Sequence, residues 1–196
     1  MFLKDFGLNS SANHYAEHFP FVDSLWFGEA FNYEDGSPEY WLTEISGIPF
    51  GLFGEMLEGG GNPWRGMLYG MSSRLGWWAG ADPRPIWKLW DDFGIAGADM
   101  IGYWDPGCPV RTDCKDVLAT VYRRKGRSLI ALASWAPAAV NVRLKLDWAA
   151  LGLDPERTTL CALAIPAFQE KAVFHPGDTI LVQPGKGWLL VAAHAK

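Results

Sequence analysis

Apolar and polar positions follow two rhythms along this chain. In the first hundred residues, compact apolar runs alternate with segments of helical spacing. The run 21–27 ends in Gly28-Glu29, the run 48–53 in Gly54-Glu55, and the run 100–104 in Asp105. Between them, Ser37-Pro38-Glu39 supplies an N-cap, a first-turn proline and an acid at the positive end of a helix. Tyr40, Trp41, Leu42 and Ile45 form its apolar stripe, and Gly47 stands where a left-handed residue would stop it. Asp82-Pro83 opens a second helix, with Ile86, Leu89, Trp90 and Phe93 at i, i+3, i+4 and i+7 and Gly94 at its end. Strand, helix and strand in succession predict a parallel sheet with crossover helices.

Beyond residue 107 the spacing shortens to antiparallel β. The runs 117–124 and 128–135 flank Lys125-Gly126, a hairpin signal. The segment 140–146 alternates Val140, Val142, Leu144 and Leu146 against polar residues, predicting one half-buried strand. Asp147 caps a short helix through Trp148 and Leu151 that Gly152 closes. Runs at 158–165, 179–183 and 188–193 complete about six strands. The fold class is therefore α/β plus all-β: a partial (β/α) TIM-type barrel over 1–106, carrying the active site, then a small antiparallel β-sandwich over 107–196. A closed eight-stranded barrel needs about 250 residues. Only three of its strands are visible, so a homo-oligomer completing the sheet is expected.

Composition narrows the function. Hydrophobic residues make up 49% of the 196 and charged residues 20%, enough for a packed core. A net charge of −5 without a concentrated basic face argues against nucleic acid. No apolar run reaches a membrane span, and the N-terminus lacks signal-peptide features, so a cytoplasmic protein is expected. Three cysteines do not make a disulfide framework. His14 and His18 stand at i,i+4 with no third ligand beside them, so neither a metal nor a cofactor is expected.

The candidate chemistry lies at the strand ends. Phe-Gly-Glu occurs twice, at 27–29 and 53–55. A carboxylate at the end of a buried strand is costly unless something there needs it, and acids at successive parallel strand ends mark an active-site rim. Trp26, Trp64, Trp77, Trp78 and Trp104 lie at strand ends or in Gly-rich loops, where indole faces can stack on sugar rings. Trp41, Trp87, Trp90, Trp135, Trp148 and Trp188 follow helix or strand periodicity and read as core. Carboxylates beside exposed indoles fit glycoside hydrolysis, in which one carboxyl protonates the leaving oxygen and another attacks or activates water. Glu29 and Glu55 are the expected catalytic pair, Glu55 as nucleophile or base and Glu29 as acid. Trp26 and Trp104 are expected to hold substrate, with Asp23 as a buried hydrogen-bonding residue or a support behind them and Asp105 either binding sugar hydroxyls or ending its strand. Residues 58–65 are read as a substrate-covering loop bringing Trp64 and Arg65.

The stretches Asp-Ser-Leu-Trp-Phe-Gly-Glu (23–29), Glu-Ile-Ser-Gly-Ile-Pro-Phe-Gly (44–51) and Gly-Gly-Asn-Pro-Trp-Arg-Gly-Met (60–67) resemble the C-terminal part of glycoside hydrolase family 123. Asp-Pro-Arg-Pro-Ile-Trp-Lys-Leu-Trp from 82 and Pro-Gly-Lys-Gly-Trp-Leu-Leu from 184 continue the resemblance over nearly the whole chain. It implies a barrel followed by a β-sandwich and action on β-linked sugars, N-acetyl-β-galactosaminides in the named family. That family is associated with an adjacent Asp-Glu pair and help from the substrate's acetamido group. Here Glu34-Asp35 has the reverse order and no Asp-Glu dipeptide occurs, so that pair is not carried over. A β-galactoside substrate worked on by Glu29 and Glu55 stands beside the family's own. The alternatives are a non-catalytic carbohydrate-binding or assembly module left from a truncated glycosidase, or a fragment that needs a second chain.

Overall fold

A computed structural model describes residues 2–3, 17–18, 20–21, 23–27, 33–56, 61–72 and 82–194. The chain divides into two compact units, 1–83 and 84–196.

The first unit holds a parallel sheet of three short strands in the order β1 (Phe2–Leu3), β2 (Ser24–Phe27), β3 (Phe53–Met56). Between β2 and β3 lies helix α1 (Pro38–Tyr40), capped by the Ser37 side chain accepting from the Tyr40 amide. It widens at once into a π-turn, Trp41–Ile45, closed by the Ser46 amide donating to the Trp41 carbonyl at 2.9 Å. Trp41 and Ile45 are both wholly buried. Trp41 stacks on Tyr69 (ring centroids 5.9 Å apart, planes 13° apart) and meets Tyr33 at 5.7 Å.

Two boundaries differ from the sequence reading, for local reasons. The strand expected at 48–54 begins only at Phe53. Gly47 (φ 66°) and Gly51 (φ 73°) are left-handed and bracket Pro49 in a 3₁₀ turn, which leaves Phe50 exposed. Glu55 accordingly lies inside β3 rather than beyond its end. In the run from Phe21, strand β2 begins at Ser24, Val22 lies outside the described residues, and Phe21 is 85% exposed. In the segment read as a loop over 58–65, residues 58–60 lie outside the described residues and Pro63 begins helix α2 (Pro63–Met67). Asn62 is its N-cap, accepting from the Arg65 amide at 3.0 Å, and Pro63 its first residue.

The second unit begins with helix α3 (Arg84–Phe93), which buries Ile86, Leu89 and Phe93 as its spacing predicts and ends at Gly94, φ 75°. Strand β4 (Asp99–Ile101) follows. It corrects the sequence reading, which placed it third in the parallel sheet. It is instead the antiparallel edge strand of the six-stranded sheet, Met100 facing Tyr122 across the pair. Helix α3 and β4 both lie in the second compact unit, with the strands of the sandwich.

The remaining strands are β5 (Val110–Thr112), β6 (Val117–Arg124), β7 (Arg127–Ser134), β8 (Val140–Val142), β9 (Leu144–Leu146), β10 (Thr158–Ala162), β11 (Ala172–Phe174), β12 (Ile180–Val182) and β13 (Gly187–His194). Their main sheet runs β11-β10-β13-β7-β6-β4, and two ribbons, β8-β12 and β5-β9, lie across it. The core between them gathers Val121, Ile130, Leu132, Leu160 and Leu190 from the sheet with Val110, Val142, Ile180 and Val182 from the ribbons. The hairpin β6–β7 turns through Lys125-Gly126 as expected, with Gly126 at φ 76°. The single strand expected over 140–146 is two. At Arg143 the backbone leaves both ladders: its amide donates to the Asp113 carboxylate (2.8 Å) and its carbonyl accepts from the Asp113 amide (3.2 Å). Helix α4 (Trp148–Leu151) has the expected Asp147 cap and left-handed Gly152.

Candidate active site

The register of the parallel sheet sets Leu25 beside Gly54 and Trp26 beside Glu55. In-register positions on neighbouring parallel strands are about 4.8 Å apart, so the backbones of one expected acid and one expected sugar-stacking residue are adjacent. Glu29 lies outside the described residues, as do Trp77, Trp78 and His14. Asp23 stands exposed immediately ahead of β2.

Helix α2 lies six residues downstream of β3. Its approach to that strand depends on two glycines. A Cβ on Gly61 would come within 2.6 Å of the Met56 sulfur, and one on Gly66 within 2.5 Å of the Met56 methyl and 3.1 Å of the Met71 carbonyl oxygen. Met56 itself is buried. Trp64 is half-buried in the first turn of the helix, its indole nitrogen inside the protein.

Arg65, expected as an exposed substrate contact, points inward and is 4% exposed. Its Nη1 donates to the carbonyl oxygens of Tyr33 (2.9 Å) and Glu34 (2.5 Å). Burial pulls the guanidinium below its ordinary pKa, opposed chiefly by the charge of Glu34. An arginine remains a cation under such a pull. Asn62 adds a second tie, its Nδ2 donating to Glu34 Oε1 at 3.1 Å. Arg65 is thus a brace under the 33–35 turn. Sequence reasoning missed Asn62 and Glu34, although Asn62-Pro63 repeats the cap-plus-proline signal already read at Ser37-Pro38.

Trp104 and Asp105 belong to the second unit. Trp104 folds back over Gly102, where any Cβ would collide with its indole, and meets Tyr103 edge-on at 5.1 Å. Asp105 Oδ1 accepts from the Gly107 amide at 2.8 Å, while its carbonyl accepts from Arg111 Nη2 at 2.6 Å. Arg111 Nη1 also holds the Tyr103 carbonyl. These are the contacts of a held turn, to which the carboxylate of the exposed Asp105 contributes one bond. Among the described residues no cluster of three or more His, Cys, Asp or Glu is arranged to hold a metal, and the three cysteines are free thiols. No described helix is long and apolar enough to cross a membrane.

The described residues thus form a short parallel sheet with a glutamate in β3, and after it an antiparallel sandwich. Family comparison supplies the class: residues 1–76 match the model described as glycoside hydrolase 123, TIM-barrel domain, and residues 82–193 match glycoside hydrolase 123, C-terminal domain. The chain belongs to glycoside hydrolase family 123. No curated protein matches it.

Proposed function

We propose that the protein hydrolyses β-linked glycosides, of β-galactoside or N-acetyl-β-galactosaminide type, with Glu29 and Glu55 as the carboxyl pair. The observation that carries this reading is the adjacency of Trp26 and Glu55 across β2 and β3, within the stretch that matches the family's barrel domain. In the proposed mechanism Glu29 gives its proton to the departing glycosidic oxygen. Glu55 stays ionised and either attacks the anomeric carbon or takes a proton from water. Asp23 and Trp64 would border the sugar with Trp26, the indoles stacking on its apolar faces.

The test is a panel of nitrophenyl glycosides with the protein and its Glu29→Gln and Glu55→Gln variants. Loss of turnover by about 10²–10⁴-fold in each variant, with unchanged circular dichroism, is the expected result. Near-normal turnover in both would end the assignment.

A second reading, an activity completed by another chain, is favoured by one feature of the sheet. Strand β3 is paired only with β2 among the described residues, and an open parallel edge invites further strands. Sedimentation run beside the glycoside panel separates the two: turnover that tracks a monomer rules out this second reading.

A further inference from the structure

The β6–β7 hairpin turn carries Arg123, Arg124, Lys125 and Arg127, a cationic cluster in a chain of net charge −5. The first three border a cleft of about 500 Å³ within the second unit. Its other walls are Gly97 and Asp99, at the start of β4, and residues 149–152, where helix α4 ends. The volume falls in the roughly 300–1,000 Å³ range of small-molecule sites.

These cations are held in place without being used up. Arg123 spends two of its five N–H donors. Its Nη1 donates to the Ala150 carbonyl at 3.1 Å and its Nη2 to Asp99 Oδ2 at 3.2 Å, which ties the guanidinium to both walls. Arg124 is anchored by Nη1 on the Phe93 carbonyl, and its Nη2 lies beside Gly97, 3.8 Å from where a Cβ would stand. Lys125 is exposed and makes no hydrogen bond or ion pair among the described residues. Ser128 stands opposite Arg123 across the β6–β7 pair, on the same face of the sheet. It is wholly buried and its Oγ has no hydrogen-bond partner among the described residues, which leaves one more unspent donor beside Arg123. Acceptors are present too: the Asp99 carboxylate, 72% exposed, and the backbone leaving α4, since the last carbonyls of a helix find no partner within it.

We propose that this cleft binds a saccharide bearing one carboxylate. Three cations against one acid favour an anion, and a guanidinium fork matches a carboxylate in shape. Asp99 and the α4 carbonyls repel a dense polyanion but accept from hydroxyls, so the ligand is singly charged and hydroxylated. That this hydroxylated acid is a sugar rests on the glycosidase reading above; the charge and hydrogen-bonding argument does not.

The test titrates sodium glucuronate into the isotope-labelled full chain and follows backbone amides by NMR, beside glucose, sodium acetate, sodium sulfate and heparin. Glucuronate is expected to shift the amides of 97–99, 123–126 and 149–152. Glucose and acetate, each lacking part of the recognised chemistry, should bind about tenfold or more weakly. Lys125→Glu, which has no protein contact to lose, should weaken glucuronate binding about threefold to fivefold. Arg123→Met should weaken it about tenfold or more; should that variant fail to fold, Lys125→Glu decides. Equal binding of glucose overturns the inference, as does equal binding of acetate or sulfate, which would mark an adventitious ion only. So do tighter binding of heparin, shifts confined to other residues, or unchanged affinity in Lys125→Glu. Turnover of the nitrophenyl panel is measured on the same preparation. Turnover without glucuronate binding overturns this inference alone, whereas binding at these amides without turnover upholds it while the glycosidase reading fails.

Discussion

Substituting Gly94 by alanine tests how the end of α3 is held to the sandwich. Two costs follow from the geometry. Gly94 sits at φ 75°, a conformation that costs an L-residue roughly 1–2 kcal/mol. In addition, the new Cβ would occupy the position of Arg124 Nη1, which donates to the Phe93 carbonyl at 2.9 Å. Evicting the guanidinium does not orphan that carbonyl, because Arg127 Nη2 donates to it as well, at 2.6 Å. The lost bond is therefore worth about 1 kcal/mol, below the roughly 1.5–3 of a charged hydrogen bond left unmade. Gly94→Ala should then cost about 2–3 kcal/mol and Arg124→Ala about 1. The double variant should be hardly less stable than Gly94→Ala, because the same bond cannot be lost twice. The expected coupling is about 1 kcal/mol in a double-mutant cycle. Urea unfolding followed by tryptophan fluorescence and circular dichroism measures it, using the transition that reports the second unit. Additive losses would show that the alanine methyl finds room without disturbing Arg124, and the argument from the glycine's contacts would be refuted.

Two further outcomes follow from the sandwich. A Cβ on Gly187 would run into the Leu132 carbonyl of the neighbouring strand, which is backbone inside a six-stranded sheet and cannot step aside. Gly187→Ala should destabilise by at least the roughly 1–3 kcal/mol of an overpacked core, and an unchanged urea midpoint would contradict it. Cys108 is buried and its thiol pKa is raised, chiefly by desolvation. The unfolded chain releases that proton first, so stability should fall as pH rises through the ordinary thiol range near 8.5. In native protein Cys108 should resist iodoacetamide while Cys114 and Cys161, each part-exposed, react; mass spectrometry of the labelled peptides reads the order.

Where the sequence reading succeeded, the signal was local. Ser37 and Asp147 cap helices because their oxygens reach amides three residues on, and that reach is a property of the residue type. Lys125-Gly126 makes its hairpin because glycine tolerates the positive φ that the turn demands. The stripe Ile86, Leu89 and Phe93 found a core as its spacing required.

Three of the misreadings share one cause. Met100 and Ile101 form an apolar run of a kind common to parallel and antiparallel sheets, and only the free edge of β6 decided which partner they took. The break at Arg143 depends on Asp113, thirty residues away. Arg65 in a glycine-rich stretch reads as a surface contact until the 33–34 carbonyls are brought beneath it, across thirty-two and thirty-one residues of chain.

The sequence alone thus determined the helix caps, the turns, the two-part order of the chain and its family, because each depends on residue types at short spacing. The tertiary structure decided which strand pairs with which, which residue of β2 stands beside Glu55, and that Arg65 works inward, because these depend on partners whose distance along the chain carries no local signal.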